Sequence, residues 1–169
     1  MITNVSEHKI CEFSTEDKDL VVEFFDQMGG ETRGFFDRGG GNRRNALEFF
    51  NKNGDEPNVK RFMSYVTDEA GKKTMTGYVF AWDIQTGVPT LGIAVREEYK
   101  GMGLGAILIG HLTAYLKSIN CGGVMLTTSF ANIRGQGLYT KMGFEHIGTH
   151  TSGELLYILK FTNNTEKKR

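Results

Sequence analysis

A chain of 169 residues, 39% hydrophobic and 24% charged, has the composition of one globular domain able to bury a core without disulfides or a metal. Twenty basic residues balance twenty acidic ones, so the formal net charge is zero and the sequence pI about 6.9, which argues against nucleic acid or a membrane surface as partner and for a small uncharged molecule. Cys11 and Cys121 stand far apart without a Cys-x-x-Cys spacing, residues 1–8 lack an apolar signal core, and no apolar run reaches spanning length, so zinc and redox motifs are excluded and a reducing, cytoplasmic setting is expected.

Residues Ile10 to Phe13 predict a short strand. Ser14 and Asp17 resemble a capping box for a helix whose apolar face is Leu20, Val21, Phe24, Phe25 and Met28, stopped at Gly29 and Gly30. Glu31 to Asn45 reads as a loop, with Arg33, Phe35, Phe36, Arg38, Gly39 to Gly41, Arg43 and Arg44. Such a loop either lines a binding site, meeting an acidic ligand, or is a solvated connection. Asn45, with Glu48 three positions on, opens a helix through Leu47, Phe49 and Phe50 that ends by Gly54 and Pro57.

Arg61 to Thr67 and Thr74 to Ile84 are rich in aromatic and β-branched residues around a hairpin signal, and Thr90 to Val95 completes an antiparallel meander. From Gly103 to Asn120 a stripe of Leu104, Ile107, Leu108, His111, Leu112, Tyr115, Leu116 and Ile119 predicts a long helix. Val124 to Thr128 then forms a strand parallel to Thr90–Val95, making a βαβ unit. Asn132 starts a helix closing at Gly143, Phe144–His150 and Leu155–Phe161 form a last antiparallel pair, and 163–169 is a polar tail. His146 and His150 would lie about 13 Å apart on a strand, too far to share a metal.

The chain holds 22 glycines, and they cluster most tellingly in Lys100-Gly-Met-Gly-Leu-Gly105. A glycine turn feeding a helix N-terminus is an anion site, because the first helical N–H groups lack partners. The loop lacks the Gly-Lys-Ser/Thr ending of a P-loop. It also fails Gly-x-Gly-x-x-Gly, since Leu108 stands where the third glycine after Gly105 belongs. A basic residue, two free positions, Gly, one free position and Gly do fit Lys100, Gly103 and Gly105. Downstream come Asn132, Tyr139 and Met142-Gly143-Phe144.

With these two motifs in this order the chain resembles the GNAT superfamily of acetyl-CoA-dependent N-acetyltransferases. The resemblance implies a single-domain acyl-CoA N-acyltransferase fold over 1–162, α/β in the α+β sense: a mixed, mostly antiparallel sheet, flanked by helices, whose parallel pair splays to admit the pantetheine arm. It implies that Lys100, Gly101, Met102, Gly103, Gly105 and Ala106 hold the CoA pyrophosphate, that Ile93 and Val95 pair with pantetheine, and that Asn132 belongs to the same cofactor site. Acetyl-CoA is then the acetyl donor, no metal is needed, and Tyr139 is the catalytic acid that protonates the departing thiolate. The expected acceptor is a primary amine on a small molecule. A protein N-terminus or lysine is the alternative within the class, and a non-catalytic acyl-CoA sensor or interaction domain the alternative outside it. Oligomeric state is left open, with a homodimer as candidate.

Acetyl transfer also needs a neutral amine. Neither Thr90–Val95 nor Val124–Phe130 carries an acid, which leaves Asp83, Glu97, Glu98 or water as base. A lysine-like amine is neutral at pH 7 about once in 2,500 molecules, nearly 5 kcal/mol, against about 1 kcal/mol for an α-amine. The lack of a strand carboxylate therefore leans toward an acceptor of low pKa. Gly135 and Gly137 inside the predicted helix each cost about 1 kcal/mol relative to Ala. Either close packing, against the cofactor for instance, or a frayed helix would account for them.

Overall fold

The computed structural model describes residues 4–37 and 42–162. Arg38, Gly39 to Gly41 and the 163–169 tail lie outside them. Lys9–Glu12 form β1, and Ser14 caps the next segment with the expected box: its amide donates to Asp17 Oδ2 at 2.8 Å. After one 3-10 turn the chain continues as α1, Lys18–Asp26, which buries Val21, Phe24 and Phe25.

Two expectations fail in the next stretch. Gly30–Asp37, read as loop, is a helix, α2; its two glycines hide the helical signal, yet Thr32 is buried and anchors it. The following helix, α3, is Arg43–Asn51, and its cap is Asn42 rather than Asn45: the Asn42 side chain accepts the Asn45 amide at 3.0 Å. The Asn45 carbonyl instead accepts from Arg61 Nη2 at 3.1 Å.

The strands β2 (Val59–Thr67), β3 (Lys73–Trp82) and β4 (Thr90–Val95) form the expected meander. Beyond them lie α4 (Leu104–Ser118), β5 (Gly123–Thr128), α5 (Ile133–Lys141), β6 (Glu145–Thr149) and β7 (Leu155–Lys160). The seven strands make one sheet in the order β1-β2-β3-β4-β5-β7-β6, with β4 and β5 parallel and all other neighbours antiparallel. This is the mixed α/β architecture expected.

Alternation along the strands divides the core between two faces of the sheet. One face holds Val79, Leu91, Leu126 and Tyr157 under α4 and α5; the other holds Met63, Tyr78, Phe80 and Ala94 under α1 and α3. The helix α4 is rotated from the predicted stripe. Ile109 and Thr113 are buried, whereas Ile107 is 43% exposed and His111 lies on the surface with its ring edge against Phe62. A helix packed along much of its length blurs the periodic signal that the reading relied on.

Candidate functional site

The strands β4 and β5 each have six residues but share one register pair, Thr90 with Met125. Below that pair they are tied by Met125 N–H to Pro89 O at 2.9 Å and Gly122 N–H to Gly87 O at 2.8 Å. Beyond it they diverge, as expected for a splayed parallel pair. Across the β3–β4 ladder Arg96 N–H donates to Thr76 O at 2.9 Å. Alternation then points the backbone groups of Ile93 and Val95 the other way, toward β5, where no ladder continues.

A cleft of about 1060 Å³ occupies this opening and is walled from both faces of the sheet. On the α4–α5 face it is lined by the glycine loop, Leu138 and Tyr139; on the other by Thr32, Phe80, Trp82 and Thr127. Position 92 must be glycine for this shape, because a Cβ there would lie 2.1 Å from the Phe80 ring that crosses it.

The loop leaves β4 through one 3-10 turn, Glu97–Tyr99, and reaches α4 with Gly101 at φ 82° and Gly103 at φ 89°. An added Cβ at either meets nothing within 4 Å, so the left-handed backbone, not crowding within the protein, requires glycine. Ile107 N–H makes the first helical bond, to Gly103 O at 3.3 Å, which leaves the amides of Leu104, Gly105 and Ala106 ahead of the ladder at the positive end of α4.

Eight of the nine residues expected at the cofactor, including Lys100, Gly105 and Ala106, line the cleft. Met102 does not; it packs on the core. Lys100 is tied back by an ion pair, its ammonium 2.8 Å from Glu97 Oε1, which also accepts from the Thr32 hydroxyl. These bonds, with Lys100 first, hold the Glu97 carboxyl below its ordinary range. They also bind α2 to the loop, and Gly29 leaves room for it, since a Cβ there would lie 2.8 Å from Glu97 Cγ.

Asn132 caps α5, accepting from Gly135 N–H at 3.0 Å while its amide donates to Thr128 Oγ1 at 3.1 Å. Tyr139 sits about two turns further on, 7% exposed and packed against Phe144 and Tyr157. Burial pushes its phenol up to about 12, and among the described residues the hydroxyl has no hydrogen-bond partner.

Of the carboxylates considered as base, Glu98 is outside the cleft wall and pairs with Arg96 at 3.3 Å. Asp83 lines the cleft but accepts from Asn58 Nδ2 at 3.0 Å, and Glu97 is held as described. The sequence reading missed Glu154, Thr32, Trp82 and Arg134, which also line the cleft. Glu154, Thr32 and Trp82 come from segments whose proximity depends on sheet order, so no local motif marks them, whereas Arg134 follows Asn132 by two residues and lies within the downstream motif. Among the described residues no group of three His, Cys, Asp or Glu is placed to hold a metal ion, and no helix is long and apolar enough to cross a membrane.

A splayed parallel pair with a glycine loop at one lip is the architecture of an acyl-CoA N-acyltransferase, and the comparisons agree. The chain belongs to the acetyltransferase (GNAT) family, whose sequence profile matches residues 24–144. In class it is an acetyl-CoA-dependent N-acetyltransferase. No curated protein matches it by sequence.

Among solved structures it resembles the PaiA N-acetyltransferase of Thermoplasma acidophilum in complex with coenzyme A (16% identity, TM-score 0.71, covering 91% of this chain and 99% of that one). It also resembles the spermidine N-acetyltransferase of Vibrio cholerae in complex with CoA and spermine (15% identity, TM-score 0.68, 92% and 96%). A third similar structure is the ribosomal-protein-S5-alanine acetyltransferase of Vibrio fischeri (13% identity, TM-score 0.70, 94% and 95%).

Proposed function

We propose that the chain transfers an acetyl group from acetyl-CoA to a primary amine on a small molecule, with Tyr139 donating a proton to the departing thiolate. The observation that carries this reading is the opening between β4 and β5, which leaves the backbone groups of Ile93 and Val95 without strand partners and has Tyr139 in its wall. Such unpaired backbone edges suit an extended amide-bearing chain, as an added strand would.

The amides of Leu104, Gly105 and Ala106 and the side chains of Lys100 and Arg134 suit the pyrophosphate and its neighbouring phosphate. When bound, acetyl-CoA supplies an activated thioester carbonyl. Lys100 must exchange Glu97 for phosphate, or hold both. Asn132 acts through α5, whose first turn it fixes and whose Tyr139 it thereby places. A phenol near 12 stays protonated throughout the physiological range, and its unpaired hydroxyl is free to donate to sulfur.

Thiol release from acetyl-CoA over a panel of small amines, with an N-terminal peptide and a lysine peptide alongside, tests the reading. Small amines are expected to support release best. Preference for a peptide would move the chain toward the type of the ribosomal-protein acetyltransferase, and acetyl-CoA binding with no release on any acceptor would make it a sensor.

A further inference from the structure

The cleft runs through the sheet, and its two mouths differ in chemistry. The glycine loop and Tyr139 belong to the α4–α5 face. On the other face the strands offer the aromatic rings of Phe80 and Trp82, 5.6 Å apart and at an angle to one another. β7 reaches that mouth as well. Thr128 pairs with Leu155 and Thr127 with Leu156, so Glu154 stands level with Ser129 at the end of β5.

Leu155 and Tyr157 point into the core under α4 and α5, and alternation turns Glu154 to the opposite face with Leu156 and Thr127. Its backbone is fixed by the turn: Glu154 O accepts His150 N–H at 2.8 Å, and Glu154 N–H donates to Ser152 Oγ at 3.4 Å. Glu154 is partly buried and lines the cleft, and among the described residues its carboxylate has neither ion pair nor hydrogen bond. The other two carboxylates of the wall are engaged, Asp83 by Asn58 and Glu97 by Thr32 and Lys100.

A partly buried carboxylate without a partner, in a cleft that also carries the Phe80 and Trp82 rings, is a receptor for a cation. Resting on the acetyltransferase reading above, we infer that Glu154 receives the acceptor's ammonium group, and that the acceptor is therefore an aliphatic amine charged at neutral pH. A low-pKa acceptor is expected only where no acid reaches the site, and β4 and β5 carry none. The β6–β7 turn supplies that acid from elsewhere in the chain.

The test is amine binding in the absence of acetyl-CoA, by calorimetry, for wild type, Glu154→Gln and Glu154→Asp. The probe is the amine of the panel that wild type binds most tightly, and the alcohol that replaces its amino group by hydroxyl is the control. Glu154→Gln is expected to weaken the amine about tenfold or more, with partial recovery in Glu154→Asp. The alcohol and acetyl-CoA should bind all three proteins alike.

Amine affinity in Glu154→Gln within twofold of wild type overturns the inference, as does a wild-type protein that binds no amine of the panel. Glu154-dependent amine binding without any acetyl transfer would support this site and overturn the enzymatic reading instead. Transfer with no effect of Glu154→Gln on amine binding would do the reverse.

Discussion

Gly135 donates its amide to Asn132 Oδ1 at 3.0 Å, and a Cβ at position 135 would lie 2.4 Å from Asn132 Nδ2. The glycine is required by the cap itself. Gly→Ala inside a helix ordinarily stabilises by about 1 kcal/mol. Here Gly135→Ala displaces the cap and is expected to destabilise, by about 1 kcal/mol net, with a lower Tm. Gly137, exposed and with nothing within 4 Å of an added Cβ, is the control: Gly137→Ala should raise Tm. Equal shifts for both substitutions would contradict this account of α5.

At Gly103, φ 89° disfavours any L side chain by about 1–2 kcal/mol. Gly103→Ala should therefore lower stability by about that amount and raise the calorimetric Kd for acetyl-CoA, because relief of the strain moves the amides at the start of α4. Unchanged affinity would separate the loop from the donor.

Tyr139→Phe should lower kcat by about 10²–10⁴ while leaving acetyl-CoA affinity unchanged. It should also alter alkaline stability. An acid whose folded pKa is raised, here by burial to about 12, contributes fully below its ordinary value of about 10, and that stability is lost as pH rises toward the folded value. By pH 11 the loss is about 1.4 kcal/mol, which urea titrations at pH 8 and 11 should find in wild type and not in Tyr139→Phe. Buried Tyr78 adds a similar loss to both proteins and cancels in the comparison.

Glu97 has the opposite sign. Its carboxyl is held low by Lys100 and Thr32, so its contribution is present above the ordinary carboxylate range and is lost as pH falls through the depressed folded value. Hydrogen exchange in α2 should therefore accelerate in acid relative to that in α4. Glu97→Gln should show the faster α2 exchange already at neutral pH.

The stretch from Thr90 to Ser118 was legible because each signal is local: a buried strand, glycines at left-handed positions, then a helical run. The Ser14 box and the Asn132 cap were legible for the same reason. What failed depends on tertiary contact. The helix Gly30–Asp37 has two glycines and is held by Thr32 reaching Glu97, 65 residues away. His111 sits in an apolar stripe yet faces outward, since the buried arc is set by where α4 meets the sheet. Glu154 lies 71 positions past Asp83 and joins it only through strand order, so nothing in the sequence of the adjacent strands marks it.

The single bridge between Thr90 and Met125 has a mechanical consequence. Strands β1 to β4 form one continuous ladder and β5, β7 and β6 another, joined at this bridge and where Gly122 and Met125 donate to Gly87 and Pro89. The helix α4 packs on β2, β3, β4 and β5 and so bridges the two ladders. A molecule seated between the two ladders lies between Ile93 on β4 and Tyr139, which packs on Tyr157 of β7. With so few bonds across that seam, an occupant reaches both ladders while displacing almost none of the sheet's own pairing.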